Sequence, residues 1–192
     1  VSAAPSPSFL ARQDASPGGI LSLDMAKRTG WCYGAQGMGR PVFHYWRLRD
    51  EVPGQAFASL ENEVVACFER YRPRYLVYEA SLPASGQKFA KTADFLIGTC
   101  AIMDAACYRY DVEPFKEYPQ TVRAKVMGCG NGRITSKQKE AGVIVEWLKL
   151  HYGIDAGDHN TADAILQWLY AADQLWGAIP LKRRTGRDFV AL

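Results

Sequence analysis

Two short apolar runs, each closing on a carboxylate, constrain this chain most. They are Ile20-Leu21-Ser22-Leu23-Asp24-Met25, where Asp24 ends the apolar stretch, and Tyr75-Leu76-Val77-Tyr78-Glu79. Runs this short, bounded by turn residues, read as buried strands. Between them Phe57, Leu60, Val64, Val65 and Phe68 recur at helical spacing from Phe57 to Tyr71, and Pro73 stops the helix. Strand, helix and strand imply a crossover and a parallel pairing. Asp24 and Glu79 then emerge at the same sheet edge. Like charges held together require a cation, or one of them must be protonated. Taken singly, Asp24 reads equally well as a turn residue opening a hairpin, and Glu79 as an exposed strand end.

The remaining pattern builds around that pair. Gly30–Gly34 and Val42–Arg47 read as two further strands, so the chain opens with an antiparallel meander. Phe89–Tyr110 is a long helical pattern. Val112–Phe115 is a short strand whose Pro114 favours a sheet edge. Tyr118–Arg123 starts another helix, and Met127–Arg133 is a glycine-rich loop. Ser136 is a cap for a helix running to Tyr152, ended by Gly153. The last helix is Asn160–Trp176, with Ala162, Ile165, Leu166, Leu169, Tyr170 and Ala172 facing inward. The expected fold class is α/β, a mixed five-stranded sheet of meander plus parallel strands, flanked by helices. Residues 1–19, with three prolines and a Gly18-Gly19 pair, read as a flexible arm, 20–176 as one domain and 177–192 as a basic tail.

A length of 192 residues suits one domain with its own core. No apolar run approaches the ~20 residues needed to span a bilayer, and no signal peptide is evident. The five cysteines, Cys32, Cys67, Cys100, Cys107 and Cys129, include no CxxC pair. That spacing fits neither a zinc site nor a disulfide framework, so a reducing, cytoplasmic compartment is expected. The net charge of +3 permits nucleic acid as a partner without demanding it. The basic groups are clustered, in Leu181–Arg187 and in Arg123, Lys125, Arg133, Lys137 and Lys139. A solvated surface is the plainer reading of either cluster.

A third acidic group opens the last helix, in Gly157-Asp158-His159-Asn160-Thr161-Ala162-Asp163-Ala164. Asp158 or Asn160 suits an N-cap, and the helix dipole favours an acid in the first turn. Asp163, however, sits within an apolar face, where a charge needs a partner. Asp24, Glu79, Asp158 and Asp163 together would make an all-oxygen site suited to Mg²⁺ or Mn²⁺. Two such ions activate water and stabilise the leaving oxygen in phosphodiester hydrolysis. His159 is either a further ligand or proton carrier, or an exposed helix-start residue.

These stretches resemble the motifs of RuvC-like Holliday-junction resolvases, in the RNase H-like superfamily. Ile20–Gly34 is similar to the first motif, with its Asp ending a strand and a Thr29-Gly30 pair before the next. Tyr75–Glu79 resembles the second, and Asp158–Ala164 the last, in the short form of phage and viral relatives. Pro119–Arg123, Gly128–Arg133 and Ser136-Lys137 resemble the segment before the family's penultimate helix, and Phe95–Gly98 a Leu-Gly on its long helix. The resemblance spans roughly Ile20 to Trp176 and rests on the order of loose motifs. It implies an RNase H-like homodimer that nicks four-way DNA junctions with divalent metal, with Asp24, Glu79 and Asp163 as the metal ligands. It places Lys137 near the scissile phosphate and Arg123 at a basic DNA contact. The family's cellular members carry Asp or His where Asn160 stands, and Pro where Met25 stands. The fourth ligand is therefore open among Asp158, His159 and Asn160, and the differences point to a phage-type relative acting on a wider range of branched DNA.

A nuclease of this type reads shape and backbone more than base edges. Lys88, Lys91, Arg123, Lys125, Arg133 and Lys137 are the candidate phosphate contacts, and Phe89 a candidate wedge at an opened base pair. Two other classes remain. An actin- or sugar-kinase-type phosphotransferase also opens with an Asp and a hairpin, but needs a second phosphate motif and a larger paired domain. A branched-DNA-binding scaffold without catalysis would fit the Asn160 departure.

Overall fold

The computed structural model describes residues 18–52, 54–80, 90–128 and 142–177, leaving aside the side chains of 90–92. The N-terminal arm up to residue 17, the Ser136 cap and the basic tail from residue 178 lie outside that set, as do Lys88, Phe89, the Lys91 side chain, Arg133, Lys137 and Cys129.

Five strands form one sheet. They are β1 (Ile20–Asp24), β2 (Arg28–Gly34), β3 (Val42–Arg47), β4 (Tyr75–Glu79) and β5 (Glu113–Glu117), in the order β3-β2-β1-β4-β5. The first three are an antiparallel meander, and β4 and β5 join in parallel. The mixed sheet expected from the sequence is thus the sheet observed. Pro114 lies on the edge strand β5, where its missing N–H interrupts no interior ladder. That strand runs two residues further than its sequence pattern, ending on Glu117.

The helices of the described residues are α1 (Gln55–Tyr71), α2 (Ala90–Tyr110), α3 (Pro119–Met127), α4 (Val143–Tyr152) and α5 (His159–Trp176). Helix α1 stops where Arg72 turns left-handed and donates its N–H to the Phe68 carbonyl, one residue before Pro73. One helix from Ser136 to Tyr152 does not form. Gly142 has φ 71°, outside helical geometry, and α4 begins only after it. Gly153 ends α4 as its pattern indicates.

Strand alternation divides the interior into two cores. Leu21, Leu23, Leu76 and Tyr78 face one way and pack with α1 and α2 through Leu60, Val64, Phe68 and Met103. Ile20, Cys32 and Val77 face the other way and pack with α3, α4 and α5. Helix α5 is the central element of that second core, buried without a break from Thr161 to Ala172. A surface helix buries one stripe only, whereas this one is enclosed by the sheet and by α3 and α4. Full burial of side chains such as Ile165, Leu166 and Leu169 contributes about 1.5–3 kcal/mol each.

Two glycines let α5 lie close on β2. A Cβ on Gly30 would stand 2.2 Å from the Asn160 carbonyl oxygen, and one on Gly34 2.4 Å from the Trp168 ring. Ser22, buried on β1, donates to the Ala164 carbonyl of α5 at 2.7 Å. These contacts set the depth and rotation at which α5 meets the sheet.

Candidate active site

Asp24 and Glu79 end neighbouring parallel strands. The last paired residues are Leu23 and Tyr78, so the two carboxylates come from the next position on each strand. By alternation Asp24 shares a face with Ile20 and Ser22, and Glu79 with Tyr75 and Val77, which is the face that α5 covers. Both are half-buried.

The third carboxylate approaches from α5. Asp163 is only 3% exposed, and its partner is Arg123 of α3, itself 7% exposed. The contact is two-pronged: Arg123 Nε donates to Oδ1 at 2.9 Å and Nη2 to Oδ2 at 2.6 Å. Such fork-to-fork pairs are the strongest arginine–carboxylate contacts. Burial acts to lower the Arg123 pKa, but the hydrogen bonds and charge of Asp163, with the charges of Asp24 and Glu79, outweigh it and hold the pKa above its ordinary value. One guanidinium therefore feels all three carboxylates. Arg123, expected from the sequence as a DNA contact, is a buried member of this centre.

The start of α5 is built differently. Asp158 is its N-cap. Oδ1 accepts from the backbone N–H of Asn160 at 3.0 Å and of Thr161 at 3.1 Å. Oδ2 accepts from the Thr161 hydroxyl at 2.8 Å and from Arg28 Nη2 at 3.3 Å. Both oxygens are thus engaged in holding the helix start, which is a capping role. His159 is exposed on the first residue of α5. Asn160 donates its side-chain amide to the Arg28 carbonyl at 2.7 Å and ties α5 to β2. Asp163 is linked to both Asp24 and Glu79 through Arg123.

One carboxylate escapes the sequence pattern. Glu117 stands opposite Glu79 in the β4–β5 register, and accepts from the Tyr170 hydroxyl of α5 at 3.2 Å. Its position at the end of a strand is the same signal that Asp24 and Glu79 carry.

The donor chemistry around Arg123 is oxygen alone, which suits a hard divalent cation. The centre's negative charge is answered within the chain by that guanidinium. Among the described residues, no three His, Cys, Asp or Glu side chains converge into a ready metal cage. The carboxylates fit a cation in type, and the Arg123 contact engages both oxygens of Asp163.

One basic group flanks the helix start. Arg28, which holds Asp158, stacks its guanidinium 3.7 Å over the Tyr45 ring. Lys27, Arg28, Arg47 and Arg49 line an open cavity of about 420 Å³ with Leu48, Asp50 and Glu51. Lys125 is exposed in the last turn of α3. Among the described residues, no helix is long and apolar enough to cross a membrane.

No protein-family model and no curated protein matches this sequence. Solved structures do match. Thermus thermophilus RuvC in complex with a Holliday-junction substrate superposes with a TM-score of 0.62 at 14% identity, covering 81% of this chain and 93% of that one. A second Thermus thermophilus RuvC structure gives 0.58 at 15% identity, with 83% and 96% covered. The yeast mitochondrial Holliday-junction resolvase Ydc2 gives 0.50 at 12% identity, with 90% and 85% covered. At these identities the likeness is one of fold: the chain has the RNase H-like fold of the RuvC structures, with its five-stranded sheet in the order 3-2-1-4-5.

Proposed function

We propose that this chain is a divalent-metal-dependent endonuclease that nicks four-way and other branched DNA. The observation that carries the reading is that Asp24 and Glu79 end adjacent parallel strands, while Asp163, on the helix packed against them, is held by an Arg123 whose charge also acts with both. The fold supports it, because one similar structure is a RuvC in complex with a Holliday-junction substrate and another is a mitochondrial Holliday-junction resolvase. Asp24, Glu79 and Asp163 would hold Mg²⁺ or Mn²⁺. When bound, such ions supply a more acidic water and a counter-charge for the leaving oxygen.

The protein's own residues do the rest. The parallel register of β1 and β4 holds Asp24 and Glu79 side by side. Asp158, Asn160 and Gly30 fix the start of α5 against β2, which places Asp163 one turn further along. Glu117 adds charge beside Glu79 and is steadied by Tyr170. Arg28, Arg47, Arg49 and Lys125 are proposed as cations for the DNA backbone, and Lys88, Lys91, Arg133 and Lys137 are proposed to extend that path. A homodimer would set two such centres against the paired strands of a junction.

A second reading follows from the Arg123–Asp163 pair. A carboxylate held by two hydrogen bonds to arginine is a poor ligand, which favours a protein that binds branched DNA without cutting it. A nicking assay on four-way, three-way and duplex DNA with Mg²⁺ and with Mn²⁺ separates the two. Metal-dependent nicks confined to branched substrates support the endonuclease. Tight junction binding with no nick under either metal selects the scaffold.

A further inference from the structure

We infer that Arg123 is a built-in counter-cation of the carboxylate centre, which a divalent ion must displace from Asp163 in order to bind. The inference rests on the metal-centre reading above and concerns how that centre is loaded.

Three observations converge on it. Arg123 and Asp163 are both almost wholly buried, so their contact is not a mobile surface pair. The guanidinium engages both oxygens of Asp163, at 2.9 and 2.6 Å, and so holds a positive charge beside the atoms a metal would use. Asp24 and Glu79 also act on the same guanidinium, so its charge serves the whole centre. An isolated buried carboxylate is very costly. Arg123 meets that cost while no metal is present, and the fold does not depend on metal to keep three acids together.

The consequence is competition. A divalent ion on Asp163 Oδ1 or Oδ2 would sit within a few ångströms of the guanidinium, and the two positive charges repel each other at that distance. Loading is therefore opposed until Arg123 turns away from Asp163. Removing its charge should strengthen metal binding while weakening the metal-free fold. A purely structural arginine behaves oppositely, since its loss loosens the site and lowers metal affinity.

The test is a Mn²⁺ titration of the full chain, without DNA, followed by the electron paramagnetic resonance signal of free Mn²⁺. Wild type is compared with Arg123→Met, which keeps the length of the side chain and drops its charge. The variant is expected to bind Mn²⁺ roughly tenfold more tightly, as fits the loss of a repelling charge a few ångströms away in a partly shielded site. Its thermal midpoint should fall in metal-free buffer and recover further with Mn²⁺ than that of wild type. Arg123→Lys keeps the charge but cannot grip both oxygens at once, and should lie between the two. It also reads the competition if Arg123→Met does not fold. Equal or weaker Mn²⁺ affinity in the folded variants overturns the inference while leaving the metal centre standing. No Mn²⁺ binding by wild type or any variant overturns both.

Discussion

Replacing Gly30 by Ala tests how the fold delivers the site. Gly30 lies in β2 between Asp24 of β1 and Tyr45 of β3. The added Cβ would stand 2.2 Å from the Asn160 carbonyl oxygen, 2.3 Å from its carbon and 2.5 Å from Thr161 N. All three are backbone atoms, so no flexible side chain can swing aside. Cβ contacts under 3.0 Å essentially never occur, so the start of α5 must retreat by at least the difference between 3.0 and 2.2 Å. The Asn160–Arg28 and Arg28–Asp158 contacts, at 2.7 and 3.3 Å, span the same gap and would lengthen with it. Overpacking of this kind costs about 1–3 kcal/mol. Alanine in an unstrained strand position would otherwise gain roughly 0.5–1 kcal/mol over glycine, so the sign of the change is informative. For a domain of this size each kcal/mol moves Tm by about 2–4 °C, which gives a fall of about 6 °C at mid-range. Asp163 moves with the helix, and a shift of about 1 Å can cost ~10²-fold in rate. Thermal unfolding followed by circular dichroism and a junction-nicking assay read both effects. Gly39→Ala is the control, because nothing lies within 4 Å of its Cβ and its φ is ordinary. A Gly30→Ala protein with the Tm of wild type would refute the close seating of α5 on β2.

Asp158→Ala should cost about 1–2 kcal/mol through loss of the cap, while Asp158→Asn should retain most of the stability and the nicking rate. Nicking lost as completely in the Asn variant as in the Ala variant would mark Asp158 as a ligand instead. Burial raises the Cys67 thiol to about 12, with Glu63 adding to the rise, and burial does the same for Cys107, with Asp104 adding to it. Both should resist iodoacetamide at pH 8 in the native protein and react once it is denatured; rapid native labelling at either position would contradict their burial. The linkage has a definite sign. The unfolded thiols release protons from about pH 9, while the folded ones hold theirs to about 12. Stability is therefore fully present below pH 9 and declines as pH rises from there towards 12. Denaturant midpoints that stay flat between pH 8.5 and 10.5, a range chosen around that ~9 onset, would count against it.

Much of the scaffold is legible in the chain because it depends on local pattern. Val42–Arg47 and Tyr75–Glu79 span the same residues in sequence and structure, since their apolar runs are bounded by turn residues. The parallel placement of β4 beside β1 follows from the helix between them. What was not legible depends on partners distant in sequence. Arg123 follows Val122 on a short helix and looks like a surface cation; only Asp163, forty residues on, makes its burial intelligible. The apolar face around Asp163 signals that it needs a partner but not which one, and Asp158 proves to cap the helix while Asp163 faces the arginine. Glu117 was hidden because Pro114 makes the strand look shorter than it is. Gly142 interrupts an apolar pattern that otherwise reads as one helix, because periodicity does not report a positive φ.

The most direct measurement of the central claim pairs cleavage with binding for Asp24→Asn. The substitution removes one negative charge from the centre and leaves the β1–β2 ladder, which uses backbone groups, in place. The account predicts that wild type nicks a synthetic four-way junction in Mg²⁺, and that Asp24→Asn binds the same junction with similar affinity and does not nick it. Full nicking by Asp24→Asn in Mg²⁺ would contradict the assignment of this carboxylate centre as the place where the phosphodiester is cut.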